Sequence, residues 1–152
     1  MATAICALIG LLLGSFLTVV VDRVPRGTSV VQPGSVCGNC GLNLGPLDLF
    51  PVLSWLVLRG KCRRCRMSIG IEPVVLELST CLLFGLMGWH FGLTWRTAAF
   101  CVLMAGLVAL SWIDLLTHRL PREITYTTAA IGVPLLCVAA LVENEPKRIW
   151  ML

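Results

Sequence analysis

Four long stretches without a charged side chain dominate these 152 residues and leave few folds open to them. Residues 1–21 carry no charge before Asp22, and residues 78–95 carry none between Glu77 and Arg96. Residues 97–113 are uncharged up to Asp114, and residues 124–142 up to Glu143. The second apolar run starts earlier, at Pro73. Each stretch is close to the ~20 residues a helix needs to cross a ~30 Å hydrocarbon core. With no water there to pair backbone groups, helices are the expected form. Hydrophobic residues make up 57% of the chain and charged residues 13%, against roughly 45–50% and about 25% in a soluble domain. A water-soluble globule, a disordered chain and a collagen-like fibre are thereby excluded. Net charge is +4, from 12 Lys and Arg against 8 Asp and Glu. Without a clustered basic face that is too little for a nucleic-acid partner. The expected fold class is an all-α polytopic membrane protein.

The first stretch has the length of a signal peptide but not its layout. It has no basic start, and Gly14-Ser15 falls inside the apolar run rather than after it, so a retained helix over 1–21 is expected. Orientation follows from the basic residues. Seven of them lie in 22–72 (Arg23, Arg26, Arg59, Lys61, Arg63, Arg64, Arg66), and Arg119 and Arg122 lie in the 114–123 connection. The turn at 94–96 has only Arg96, and the tail has Lys147 and Arg148. Positive-inside counting puts 22–72 and 114–123 in the cytoplasm and the N-terminus outside. The later helices are expected at about 73–95, 97–113 and 124–142. Domains then divide as helix 1–21, a cytoplasmic segment 22–72, and a membrane region 73–152.

The eight cysteines fall into two classes. Cys6, Cys81, Cys101 and Cys137 lie one per apolar stretch and are expected as small packing residues. Cys37-Gly-Asn-Cys40 and Cys62-Arg-Arg-Cys65 are two C-x2-C pairs separated by 21 residues. That spacing suits a four-cysteine zinc site in which two tight turns each give two thiolates to a tetrahedral metal. Gly38 and Gly41 would let the first turn bend sharply, and Lys61, Arg63, Arg64 and Arg66 could offset the −2 charge of such a centre. Disulfides are the bland alternative, disfavoured on a reducing cytoplasmic face. A redox C-x2-C is the other, without a thioredoxin-like context here. Between the pairs, residues 46–58 are apolar but too short to span and are interrupted by Pro51. They are expected to pack on the metal turns or to lie in the bilayer interface with Trp55 as anchor. No repeat or low-complexity segment stands out.

Asp114 closes the third apolar stretch, and an acid at a membrane helix mouth is costly to desolvate and so suggests function. It could equally pair with Arg119 or Arg122 and merely finish a helix. Glu77 poses the same choice, a partner in the bundle or a snorkelling carboxylate. His90 and His118 read as interfacial residues rather than ligands.

Several motifs in order then resemble type IV prepilin peptidases. Gly14-Ser15-Phe16-Leu17-Thr18-Val19-Val20-Val21-Asp22-Arg23-Val24-Pro25 looks like that family's G-S-F-L-N-V-V-x-x-R-x-P opening. The paired C-x2-C, with Leu53-Ser54-Trp55-Leu56 and Arg59-Gly60-Lys61-Cys62, is similar to its cytoplasmic zinc-binding domain. Pro73 and Glu77-Leu78-Ser79-Thr80 resemble its P-x-V-E-L-x-T with one extra residue, and Ile113-Asp114 through Arg119-Leu120-Pro121 resembles the motif of its first catalytic aspartate. The resemblance runs from about residue 10 to about 130.

It implies a membrane aspartic-type endopeptidase of the bacterial inner membrane that removes leader peptides from type IV prepilins or type II secretion pseudopilins. Asp114 would be one catalytic carboxylate, and Cys37, Cys40, Cys62 and Cys65 would hold structural zinc. S-adenosylmethionine enters only by the family's N-methyltransferase activity. The family's second aspartate sits in a G-x-G-D motif, which these 152 residues lack. Glu143 and Glu145 would lie across the membrane from Asp114, and Glu123 lies on the correct side but in no matching motif. A truncated, fragmentary or degenerate family member is therefore expected, inactive alone. The alternative is a non-catalytic membrane zinc protein that binds pilin-assembly partners.

Overall fold

The computed structural model describes residues 1–32, 34–45, 48, 50–118 and 120–142. Arg119, Glu143, Glu145, Lys147 and Arg148 lie outside the described residues, as do Pro46, Leu47 and Leu49 between the cysteine pairs. Five helices follow in order: α1 Ala2–Arg23, α2 Leu53–Val57, α3 Glu72–Phe91, α4 Trp95–Thr117 and α5 Arg122–Val142. Among the described residues there is no β-strand, and two isolated bridges stand outside the helices. All helices except α2 are long and apolar enough to cross a membrane. The protein is a multi-pass membrane protein.

The helix ends differ from the apolar stretches because caps, not charges, set them. α3 stops at Phe91, four residues short of the expected 95, where Gly92 turns to φ 68°. α4 starts at Trp95 because Thr94 caps it, its hydroxyl oxygen accepting from Thr97 N–H at 3.3 Å. It then runs past 113 to Thr117 and ends where His118 adopts the left-handed region and donates its N–H to Asp114 O at 2.8 Å. Asp114 therefore sits within the last turn of α4 rather than after it.

α1 packs chiefly on α3, α4 lies against both, and α5 rests on α4. The core has two storeys. Leu17, Val21, Leu76, Ala109, Ile113 and Ile124 gather the end of α1, the start of α3, the end of α4 and the start of α5. Cys6, Phe84 and Cys101 fill the opposite storey. The expectation for the scattered cysteines holds for those two. Cys81 is half-buried and Cys137 is exposed, because α5 has a neighbour on one side only.

Close approach of α1 to α3 depends on glycine. A Cβ on Gly14 would stand 2.7 Å from Glu77 Cα, and one on Gly10 2.5 Å from Thr80 O. A Cβ on Gly88 would meet Cys6 Sγ at 2.7 Å. Small residues of this kind let membrane helices gain dispersion contacts that lipid cannot match. Overpacking typically costs 1–3 kcal/mol, so Gly14→Val is expected to lose about that much stability. Thermal unfolding in detergent would measure it, and Gly14→Ala should fall between the parent and Gly14→Val.

Candidate functional site

Between α1 and α3 the chain makes two turns of one conformation. In the first, Val36 bridges Asn43, Cys37 N–H donates to Leu42 O at 2.9 Å, and Gly41 N–H donates to Cys37 O at 2.9 Å. In the second, Lys61 bridges Ser68, Cys62 N–H donates to Met67 O at 2.8 Å, and Arg66 N–H donates to Cys62 O at 3.1 Å. The residue after each pair takes positive φ, 65° at Gly41 and 59° at Arg66. Gly38 is not among the positive-φ residues, so the bend expected there belongs to Gly41 alone. Arg66 adopts a conformation that costs an L-residue roughly 1–2 kcal/mol.

These turns bring the four cysteines together. Cys37 Sγ lies 3.7 Å from Cys65 Sγ, and Cys40 Sγ 3.9 Å from Cys62 Sγ. All four sulfurs fall within 4.8 Å of one another. A tetrahedral site with metal–sulfur bonds of ~2.3 Å places its sulfurs ~3.8 Å apart, whereas a disulfide needs ~2.05 Å. All four are free thiols, so the cluster could hold a metal ion. Its electrostatics are divided. N–H groups of Cys40 and Asn39 lower the Cys37 thiol. The Asn39 side chain and the Met67 N–H pull Cys65 down to about 6. For Cys40 the Leu42 N–H favours the thiolate, but burial and hydrogen bonds to the other three cysteines push it up to about 11. Some negative charge is thus accommodated, and a cation is needed for the rest.

The segment joining the turns is tied down at both ends. Asp48, the one acid between Asp22 and Glu72 in the sequence, pairs with Arg63 at 2.7 Å and accepts from Gly45 N–H at 3.3 Å. Trp55 turns inward, its indole N–H donating to Gly70 O at 3.1 Å and Ile69 O at 3.4 Å. The ring's one donor is thus held by the backbone just ahead of α3, which ties the segment between the cysteine pairs to the start of that helix.

Glu77 resolves as a bundle partner. It is 6% exposed, and Oε2 accepts from Val52 N–H at 2.7 Å, 25 residues away in sequence. Ser15 of α1 faces the same carboxylate. One α3 side chain therefore holds α1, the membrane bundle and the cysteine-bearing segment together. The sequence marked Glu77 as costly but could not name its partner, which is a backbone N–H.

Asp114 is exposed, while its neighbour Ile113 is wholly buried in the storey that joins the ends of α1 and α4 to the starts of α3 and α5. Asp114 and the cysteine cluster thus lie at the same end of the bundle. Arg122 does not pair with it among the described residues. Glu123, in the first turn of α5, lines an apolar groove of about 880 Å³ between α1, α4 and α5. His90 stacks edge-on against Phe91 at 4.5 Å rather than joining a ligand set.

Residues 8–91, from the first turns of α1 to the end of α3, match the family described as the bacterial peptidase A24 N-terminal domain. The chain belongs to this family. Curated proteins called prepilin leader peptidase/N-methyltransferase resemble it over most of its length. The one from Pseudomonas aeruginosa is 37% identical over 88% of this chain and 54% of its own. That from Myxococcus xanthus is 41% identical over 84% of this chain and 38% of its own. The Bacillus subtilis relative is 31% identical over 97% of this chain and 57% of its own. The chain therefore spans about half the length of the curated relatives it matches. No solved structure matches it. The A24 match takes in the whole cysteine cluster and Glu77 and ends before Asp114.

Proposed function

We propose that this chain carries the zinc-binding segment and one catalytic carboxylate of an aspartic-type membrane endopeptidase that removes leader peptides from type IV prepilins or type II secretion pseudopilins. The observation that carries the reading is the placement of exposed Asp114 at the cysteine-bearing end of the bundle. The basic residues of 22–72 favour the cytoplasm for that end, where a leader would be presented. In a carboxylate pair sharing one proton, one member takes a proton from water and the other protonates toward the scissile amide. Asp114 supplies one member, open to water and held at a fixed height by the buried Ile113 beside it. Zinc is the proposed metal of Cys37, Cys40, Cys62 and Cys65, and when bound it cross-links two turns that carry little apolar core. S-adenosylmethionine remains a proposal from the relatives' names alone.

These 152 residues hold no G-x-G-D, so the chain by itself is expected not to process a prepilin. Co-expression with a C-terminal half bearing G-x-G-D, taken from a relative, is expected to restore leader removal, read as a mobility shift of the pilin. Processing by the 152-residue chain alone would show that an acid within it completes the pair, with Glu123 the first to replace.

A further inference from the structure

α2 is held beside the first turn of α3, a helix long and apolar enough to cross a membrane. Val52, just before α2, hydrogen-bonds Glu77, which lies five residues into α3. At a rise of ~1.5 Å per residue that is about 7.5 Å, and a helical side chain leans back toward the N-terminus. Trp55, in the middle of α2, is bound to the carbonyls of Ile69 and Gly70, just ahead of α3. The two ties bracket the first turn of α3 and hold α2 beside it.

The ties also fix which face looks out. Leu53, Leu56 and Val57 are 54%, 57% and 80% exposed, a stripe at helical spacing, and Phe50 precedes it by one turn at 53%. Immediately beyond, Arg59, Lys61, Arg63, Arg64 and Arg66 are all exposed. Among the described residues, Arg63 alone of these five has an acidic partner, Asp48. Apolar surface beside the start of a span-length helix, bordered by unneutralised cations, complements one surface above others: acyl chains under anionic headgroups.

We propose that α2 and the second cysteine turn form an interfacial foot that rests on anionic phospholipid, Leu53, Leu56 and Val57 entering the acyl boundary and Arg59, Lys61 and Arg64 engaging the phosphates. The foot would set the cysteine-bearing segment's height and tilt over the bundle.

The test uses the full chain in nanodiscs of phosphatidylcholine, with and without phosphatidylglycerol, doped with a phospholipid carrying an acyl-chain diazirine. Photolysis is expected to label residues 50–58 as well as α1 and α3. Phosphatidylglycerol is expected to slow amide exchange across 53–66, by about fivefold for each engaged cation. Arg59→Gln, Lys61→Gln and Arg64→Gln together should abolish that slowing and leave labelling of α1 and α3 unchanged. Label on α1 and α3 with none on 50–58 would overturn the proposal, as would exchange insensitive to phosphatidylglycerol. Slowing that follows protein concentration instead of lipid would assign the face to a second copy, and equally overturn it.

Discussion

Asp114→Asn is expected to abolish leader removal in the pair reconstituted with a G-x-G-D half. The amide is nearly isosteric, and because the side chain is exposed and outside the core it should leave folding intact. It can neither take a proton from water nor share one with a second carboxylate. General acid–base participation is typically worth 10²–10⁴-fold, and removing one member of a concerted pair removes most of what both supply. The loss should fall on kcat, with KM close to the parent, since the substituted group acts in the transition state. Glu123→Gln in the same pair should keep most of the activity. The opposite ranking, Glu123 essential and Asp114 dispensable, would move the proposed carboxylate to the start of α5.

Loss of one thiolate should be nearly as severe for the cysteine-bearing segment. Cys62 is 2% exposed and the most buried of the four. Cys62→Ser is expected to release the zinc, from about one equivalent per chain to none, and to raise amide exchange across 34–70. Structural zinc binding is worth ~10–16 kcal/mol in small metal-folded peptides, far beyond what the two short turns could replace. Elemental analysis of reduced protein gives the metal count. Affinity should also fall with acidity, and the sign follows from the thiols. Binding displaces the proton of Cys40, held up to about 11, at any ordinary pH. Cys65, held down to about 6, is already a thiolate at neutrality and needs deprotonation only below that value. The plot of log affinity against pH should therefore steepen below about 6. A disulfide between Cys37 and Cys40 in place of zinc would sink the assignment.

The spans were legible because a run of uncharged residues is a local property, readable without knowing neighbours. Their ends were not, since Thr94 and His118 set them through hydrogen bonds rather than charge. The four-cysteine cluster was legible for a similar reason, one tight turn being encoded within each C-x2-C. What escaped were pairings across sequence. Glu77 finds Val52, and Trp55 finds Gly70, through the packing of α2 against the start of α3. Asp48 offered a usable signal, a single acid in a strongly basic stretch, which points to an internal ion pair such as the one it makes with Arg63. The conformational match between the two cysteine turns was hidden because Arg66 stands where Gly41 would advertise the bend.

The glycine contact between α1 and α3 bears on how the chain enters a membrane during synthesis. α1 emerges before α3, and residues 24–71 must follow it before its partner arrives. It is equipped for that delay, having the highest mean hydropathy of the four spans at 2.6. α3 has the lowest, 1.5, and carries the carboxylate of Glu77. A segment so poorly suited to lipid gains most by entering directly against a neighbour already in place, whose Gly10 and Gly14 face leaves room for Thr80 and Glu77. The seam would thus divide the labour of insertion, α1 supplying affinity for the bilayer and α3 gaining its place against α1.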